Sequence, residues 1–166
     1  MNARQRYLST EEYTRLGAVL ARVEKLGGES FYQVADALQL VQSITDKASR
    51  ASALEKVAEA QISAGTIDDA KSTLELALQA AHSIEQKYQR NDMLAKVAAL
   101  QVDAGQIDKA LQIALSIANT YERADSLSKV ANADHASEAL QAASTIEDSA
   151  ERVSTFVHLA QALPRK

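Results

Sequence analysis

The feature that most constrains this chain is a sequence pattern that occurs four times without internal gaps. Each copy begins with a stretch of the form A-L-Q-x-x-x-[ST]-I, at residues 37–44, 77–84, 110–117 and 139–146. An arginine follows six residues after each isoleucine, at Arg50, Arg90, Arg123 and Arg152. A pattern of this length that recurs along one chain is typical of a protein built from structural repeats.

The pattern continues beyond the arginine. A large apolar residue stands four positions later, then a lysine or histidine two positions after that, and then a valine–alanine or leucine–alanine pair. The apolar residues are Leu54, Leu94, Leu127 and Phe156, and the basic ones are Lys56, Lys96, Lys129 and His158. The interval between copies shrinks from 40 to 33 to 29 residues, so the repeats shorten toward the C-terminus.

The spacing of apolar residues predicts α-helices throughout. They recur at intervals of three and four residues, the helical period, and the chain is rich in alanine, with only five glycines and one proline. Ser9 and Glu12 form a capping-box signature, and Gly65 is placed to end a helix. We expect residues 1–9 to be flexible and about nine helices to follow, over residues 10–26, 30–45, 48–64, 67–86, 88–104, 107–119, 121–132, 134–146 and 149–163.

The segment around the glycine loop resembles a tetratricopeptide repeat. The matching residues are Leu54, Val57, Ala58, Gln61, Gly65, Ile67, Ala70, Leu74 and Ala77, and the stretch from Leu94 to Ala110 repeats most of them. The resemblance implies an all-α fold, a right-handed α-solenoid of about nine antiparallel helices in a single domain over residues 1–166. Its units would be residues 10–45, 48–86, 88–119 and 121–146, with a final helix at 149–163. Because the repeat length varies and the family's closing proline is missing, other α-solenoid classes are alternatives.

The repeated arginine has two interpretations. It could form a ladder of ligand-binding cations, or it could be structural. At about 100° per residue, Arg50 falls between Val57 and Gln61 on the packed side of its helix. We therefore favour a structural role, in which the guanidinium bonds the carbonyl end of the preceding helix or an acid such as Asp46 or Asp148.

The basic residue of each copy falls on the opposite side of the helix. It is either part of an ordinary solvated face or part of a basic strip beside a groove. The resemblance implies that the first helix of each pair lines a concave, peptide-binding surface. Carried over by position, the partner-binding candidates are Ser52, Glu55, Lys56, Glu59, Ser63, Asp92, Lys96, Asp103, Asp125 and Lys129.

Composition and motifs exclude several classes of function. The net charge of −4 argues against a general nucleic-acid binder. Without cysteine, thiolate chemistry is excluded, and the three histidines show no metal-ligand spacing. We find no nucleotide-binding or hydrolase motif, so we predict no catalytic residue, no metal and no cofactor. No apolar run approaches the roughly 20 residues that span a bilayer, and no secretory signal is seen. We therefore expect a cytoplasmic protein that contacts no membrane.

Together these features predict a non-catalytic module that binds a protein or peptide on the concave surface. A self-assembling homo-oligomer is one alternative, because the ends of a solenoid expose apolar faces. A small-ligand binder or an enzyme with a pocket between helices is a second alternative. The adjacent aromatic residues Phe31 and Tyr32 are interpreted as core or cap residues rather than as a partner contact.

Overall fold

A computed structural model describes residues 31–131 and 135–162, together with Thr14 and Ala18. This part of the chain contains eight α-helices and no strand, which confirms the all-α prediction. The helices are α1 (Phe31–Gln42), α2 (Lys47–Ser63), α3 (Ile67–His82), α4 (Lys87–Asp103), α5 (Ile107–Ser116), α6 (Thr120–Ala131), α7 (Ala136–Ser144) and α8 (Ser149–Ala162). The flexible segment at 1–9 and the first predicted helix at 10–26 fall outside the described residues, apart from Thr14 and Ala18, both helical.

Three of the helices end earlier than the sequence predicted. Helices α1, α3 and α5 stop three or four residues before the expected ends at 45, 86 and 119. The reason lies in the serine–isoleucine pair of the repeat. The Ser116 hydroxyl donates to the Ile113 carbonyl at 2.7 Å, and the Ile117 amide donates to the Ala114 carbonyl at 3.2 Å. These bonds to the third preceding residue tighten and close the last turn.

The glycine loops end their helices as predicted. Gly65 and Gly105 have φ angles of 78° and 74°, a left-handed conformation that glycine adopts without steric cost. The Gly65 amide donates to Ile62 and the next amide donates to Gln61, both at 2.9 Å, and Gly105 repeats this pattern. This is the Schellman arrangement, which satisfies the last helical carbonyls before the chain turns.

The chain divides into two compact units, and the boundary between them along the sequence falls within α3. The first unit runs to Ala80 and the second begins at Ala81. In the first unit α1 packs against α2. Its buried apolar side chains come from α1, α2 and α3, with Ala37, Leu54 and Leu74 among them. Many of the buried residues of this unit are alanines, such as Ala37, Ala51 and Ala70, and small side chains allow helices to approach closely.

The second unit holds α4 to α8 and shows a regular packing order. Each helix packs against the next one along the chain, and α4 also packs against α6, α5 against α7, and α6 against α8. The helices therefore form two series, α4–α6–α8 and α5–α7. The valine–alanine pairs Val97–Ala98 and Val130–Ala131 are fully buried in this unit.

Candidate functional site

The recurring arginine forms its side-chain hydrogen bonds at the junction between repeats. We name the isoleucine, the arginine six residues later and the residues between them the turn motif. The Arg90 guanidinium donates to the Ile84 carbonyl at 2.9 Å. Arg123 donates to the Ile117 carbonyl at 2.8 Å, and Arg152 donates to the Ile146 carbonyl at 2.6 Å. The predicted structural role of the arginine is thus confirmed in three copies.

The first copy of the turn motif differs. No bond from Arg50 to the Ile44 carbonyl is seen, although both residues are described and Ile44 is buried. The acids that the sequence offered as alternative partners, Asp46 and Asp148, serve another purpose. The Asp46 carboxylate accepts from the Ser49 amide, and Asp148 accepts from the Glu151 amide, both at 2.8 Å. These are helix N-caps, which satisfy amides that lack a partner within the helix.

Two glutamates that the sequence analysis missed tie neighbouring repeats together in the second unit. Each glutamate stands directly before the repeat arginine. The Asn91 side chain of α4 donates to Glu122 of α6 at 2.6 Å. The Thr120 hydroxyl of α6 donates to Glu151 of α8 at 2.9 Å. The recurrence of glutamate at this position in the last two copies was a signal that could have revealed this link.

Glu151 also forms an ion pair with Arg123, and this gives the junction its electrostatic character. The Arg123 Nη1 and Glu151 Oε2 atoms lie 2.8 Å apart, and the Arg123 side chain is only 12% exposed. The hydrogen bond from Arg123, followed by that from Thr120, lowers the pKa of the Glu151 carboxyl below its usual value. The contacts at the junction between α6 and α8 therefore favour the ionised form of this glutamate.

The lysines proposed for the groove are paired with acids on their own helices. The Lys96 ammonium lies 2.9 Å from the Asp92 carboxylate in α4. Lys129 lies 2.7 Å from Asp125 in α6. All four side chains are about half exposed. Because α4 and α6 pack against each other, the second unit presents the same Asp–Lys pair on two adjacent helices. We name these four residues the ion-pair lane.

Helix α2 carries a variant of this arrangement in the first unit. Lys56 lies 2.7 Å from Glu59 and 3.6 Å from Glu55. The hydrogen bond to Glu59 raises the pKa of Lys56 above its usual value. Glu55 is buried, and its side chain is only 11% exposed, so it offers little surface to a partner.

The remaining candidates lie on the same three helices. Ser52 and Ser63 belong to α2 and Asp103 to α4, with Ser63 and Asp103 exposed at the helix ends. The structure therefore brings Asp92, Lys96, Asp125 and Lys129 together on packed helices within one unit. The α2 candidates belong to the other unit.

An aromatic contact was not anticipated from the sequence. The Tyr121 ring of α6 and the His158 ring of α8 meet edge to face, with centroids 5.1 Å apart. His158 occupies the repeat position of Lys96 and Lys129. Helix α8 therefore has an aromatic contact at the position where α4 and α6 have an ion pair. The side chains of Phe31 and Tyr32 lie outside the described part of the chain.

Several buried polar atoms have no hydrogen-bond partner among the residues that the structure describes. They include both amide atoms of Gln101, one of Gln61, and the hydroxyl of Ser126. Gln61 and Gln101 occupy the same repeat position, and both are almost fully buried. Because a buried polar atom without a partner costs stability, each of these positions is expected to destabilise the fold.

The described residues contain no group of three or more histidine, aspartate or glutamate side chains that could hold a metal ion. Within the same residues, no helix is both long enough and apolar enough to cross a membrane. Comparison with models of known families, with curated proteins and with solved structures gives no match.

Proposed function

We propose that this chain is a non-catalytic interaction module that binds a peptide or protein partner on the concave face of a tetratricopeptide-like α-solenoid. The packing order of the second unit supports this architecture, because each helix contacts the next two along the chain. The isoleucine of each turn motif is buried, and in the second unit its arginine is bonded to a backbone carbonyl, so the exposed polar positions of α4 and α6 are the surface that can vary with the partner.

The ion-pair lane is the observation that carries the proposal. Asp92 and Lys96 on α4 have direct counterparts in Asp125 and Lys129 on α6, so charges of each sign recur from helix to helix. Exposed ion pairs of this kind contribute little to stability. Their repetition is better explained by recognition of a partner whose charges repeat at the same interval.

The spacing of the lane suggests the form of the partner. Packed helices lie about 8–10 Å apart. A polyproline II segment advances about 3.1 Å per residue and returns to the same face every third residue. An extended peptide with an acidic residue at every third position would therefore place a carboxylate near each lysine. Such a peptide would replace the aspartate partner of each lysine without moving the backbone.

The proposal is tested by selecting peptides from a displayed random library on the immobilised full chain. Enriched peptides are then synthesised and titrated by fluorescence anisotropy. We expect the double variant Lys96→Glu/Lys129→Glu to weaken binding at least about tenfold, which corresponds to roughly 1.4 kcal/mol. The matched control is Lys109→Glu, an exposed lysine on α5. Failure to enrich any peptide, or equal binding by the double variant and the control, would contradict the proposal.

A further inference from the structure

The outward side of α8 differs from the corresponding side of the helices before it. In the repeat, the position after the arginine is covered in three copies, at Ala51, Asn91 and Ala124, which are at most 5% exposed. In α8 the same position is Val153, and it is 61% exposed. Eight positions after the arginine, Ala131 of α6 is fully buried, whereas Ala160 of α8 is exposed. The side of α8 that a further helix would cover is therefore open.

This open side is apolar and carries no charge. Its central residues are Val153 and Val157, which are 61% and 49% exposed, with Ala150 and Ala160 at the two ends. The other exposed residues of α8 within 149–161 are two serines and a glutamine. By contrast, the exposed residues of α4 include Asp92 and Lys96. An exposed helix face without a single charged side chain is unusual for a surface that faces only water.

The order of residues on this face is symmetric about Thr155. Ala150 and Ala160 are equally distant from Thr155, and so are Val153 and Val157. In an antiparallel pair of identical helices, residues related in this way lie opposite each other. Val153 would face Val157 of a second copy, and Ala150 would face Ala160. The alanines at both ends would let the axes approach to about 8 Å, the lower end of the range for packed helices.

We propose that α8 binds α8 of a second copy of this chain, antiparallel and related by a two-fold axis that passes beside Thr155. Two observations favour a second copy over a foreign partner. The face is complementary to itself in residue order, and it has no charge that would repel its own copy or select a partner of opposite charge. The face continues the α4–α6–α8 series, since a further helix packed on α8 would lie where α8 lies on α6.

The size of the face predicts how strong the association is. The stripe from Ala150 to Ala160 is about 15 Å long at 1.5 Å per residue. One helix pair of this length covers less than the roughly 800 Å² per partner of a standard interface. We therefore expect a weak, reversible dimer. Each chain carries a net charge of −4, so added salt should strengthen the dimer by screening repulsion, whereas it should weaken peptide binding at the ion-pair lane.

The first test is sedimentation equilibrium of the full chain over a wide concentration range. We expect a monomer–dimer equilibrium, and we expect Val157→Lys to raise the dissociation constant at least about tenfold, because two lysines would then be desolvated in the interface. Leu140→Lys is the matched control, since Leu140 is an exposed apolar residue of α7 at 37%. A monomer at every concentration would overturn the proposal, as would a dimer that Val157→Lys leaves unchanged.

Cysteine cross-linking tests the orientation of the two α8 helices, using chains that each carry a single substitution. The chain has no cysteine of its own, so single variants report on one position each. A mixture of Val153→Cys and Val157→Cys chains should form a disulfide between unlike chains several times more readily than either variant alone, because a disulfide needs Cβ atoms about 4 Å apart. A preference for like chains would exclude the antiparallel register. Peptide binding by Val157→Lys should match that of the unaltered chain, which separates failure of this proposal from failure of the proposed function.

Discussion

Helices α6 and α8 occupy equivalent positions in consecutive repeats, and they share one side while differing on the other. On the shared side, Arg123 and Arg152 both donate to the carbonyl of the isoleucine six residues before them. On the other side, Ala124 is fully buried whereas Val153 is 61% exposed. The repeat pattern therefore specifies how a helix joins the preceding one. It does not specify what covers the helix from outside.

The comparison also explains the choice of residue at the covered position. Alanine at 124 is small enough for α6 to lie against its neighbours without a cavity or a clash. Valine at 153 has no such constraint, because the branched side chain projects from an exposed position. A larger apolar residue is thus found where no described helix covers α8, which is the reverse of what solvent exposure alone would favour.

The largest expected effect on the free energy of unfolding comes from placing a charge directly after the repeat arginine, at position 124 of α6 or position 153 of α8. Ala124→Lys should lower the free energy of unfolding by about 3 kcal/mol or more, because the ammonium would be buried without a partner. Val153→Lys should change it by less than about 0.5 kcal/mol, because position 153 is exposed. Urea denaturation at low protein concentration measures both values without a contribution from self-association. Similar losses in the two variants would mean that the outer side of α8 is covered within one chain.

The second prediction concerns the shared side. Arg123→Met keeps most of the side-chain volume but leaves the Ile117 carbonyl without its donor, which should cost about 2 kcal/mol. Arg152→Met should cost about 1 kcal/mol, since Arg152 donates to the Ile146 and Glu147 carbonyls and, within the described residues, has no carboxylate partner comparable to Glu151. The same denaturation experiment checks both values. If Arg50→Met, in the copy without this bond, were as costly as Arg123→Met, the carbonyl bond would not be the source of the effect.

Substitutions at the third position after the arginine should have smaller effects on the free energy of unfolding, and these effects should have opposite signs in α6 and α8. The Ser126 hydroxyl of α6 is buried and unpaired, whereas the Thr155 hydroxyl of α8 donates to the Glu151 carbonyl at 2.8 Å. Ser126→Ala should raise the free energy of unfolding by about 1 kcal/mol, helped by the higher helix propensity of alanine. Thr155→Val should lower it by about 0.5 kcal/mol. A loss of stability in Ser126→Ala would show that the hydroxyl is satisfied in solution.

The side that α6 and α8 share could be predicted from the sequence, whereas the side on which they differ could not. The helices, the glycine turns and the structural arginine could be predicted because each depends on residues close together in the chain. The isoleucine ends a helix and the arginine returns to its carbonyl within six residues. The early helix ends were missed because alanine and glutamine continue the helical period up to the point where Ser116 and Ile117 close the last turn.

Contacts between repeats were harder to predict. The bonds from Asn91 to Glu122 and from Thr120 to Glu151 join residues about 30 positions apart, and their register depends on how two helices pack. For the same reason, the sequence placed Glu55 on an open groove, whereas it is buried in the first unit. Among the groove candidates, only those on α4 and α6 are assembled into one surface. Val153 is exposed because no helix of the described residues packs on that side of α8, which no local pattern records.

The smallest predicted effect is a pH dependence confined to the junction of α6 and α8. The pKa of Glu151 is lowered in the folded chain, mainly by the hydrogen bond from Arg123. Its ionised form therefore stabilises the fold at every pH above the unfolded pKa of about 4.3, and this contribution disappears as the pH falls through the lower folded pKa. Glu151→Gln should be less stable than the unaltered chain at pH 7, and the difference should vanish in acid.

A double-mutant cycle assigns this dependence to the ion pair. In the Arg123→Met background, Glu151→Gln should lose most of its effect at pH 7, because the larger of the two hydrogen bonds to the carboxylate is already absent. The remaining effect should be small, because the amide oxygen of the introduced glutamine can still accept the hydrogen bond from the Thr120 hydroxyl. Thermal unfolding followed by circular dichroism at pH 7 and pH 3 measures all four chains. An undiminished effect of Glu151→Gln in that background would show that the pH dependence does not originate in the Arg123–Glu151 ion pair.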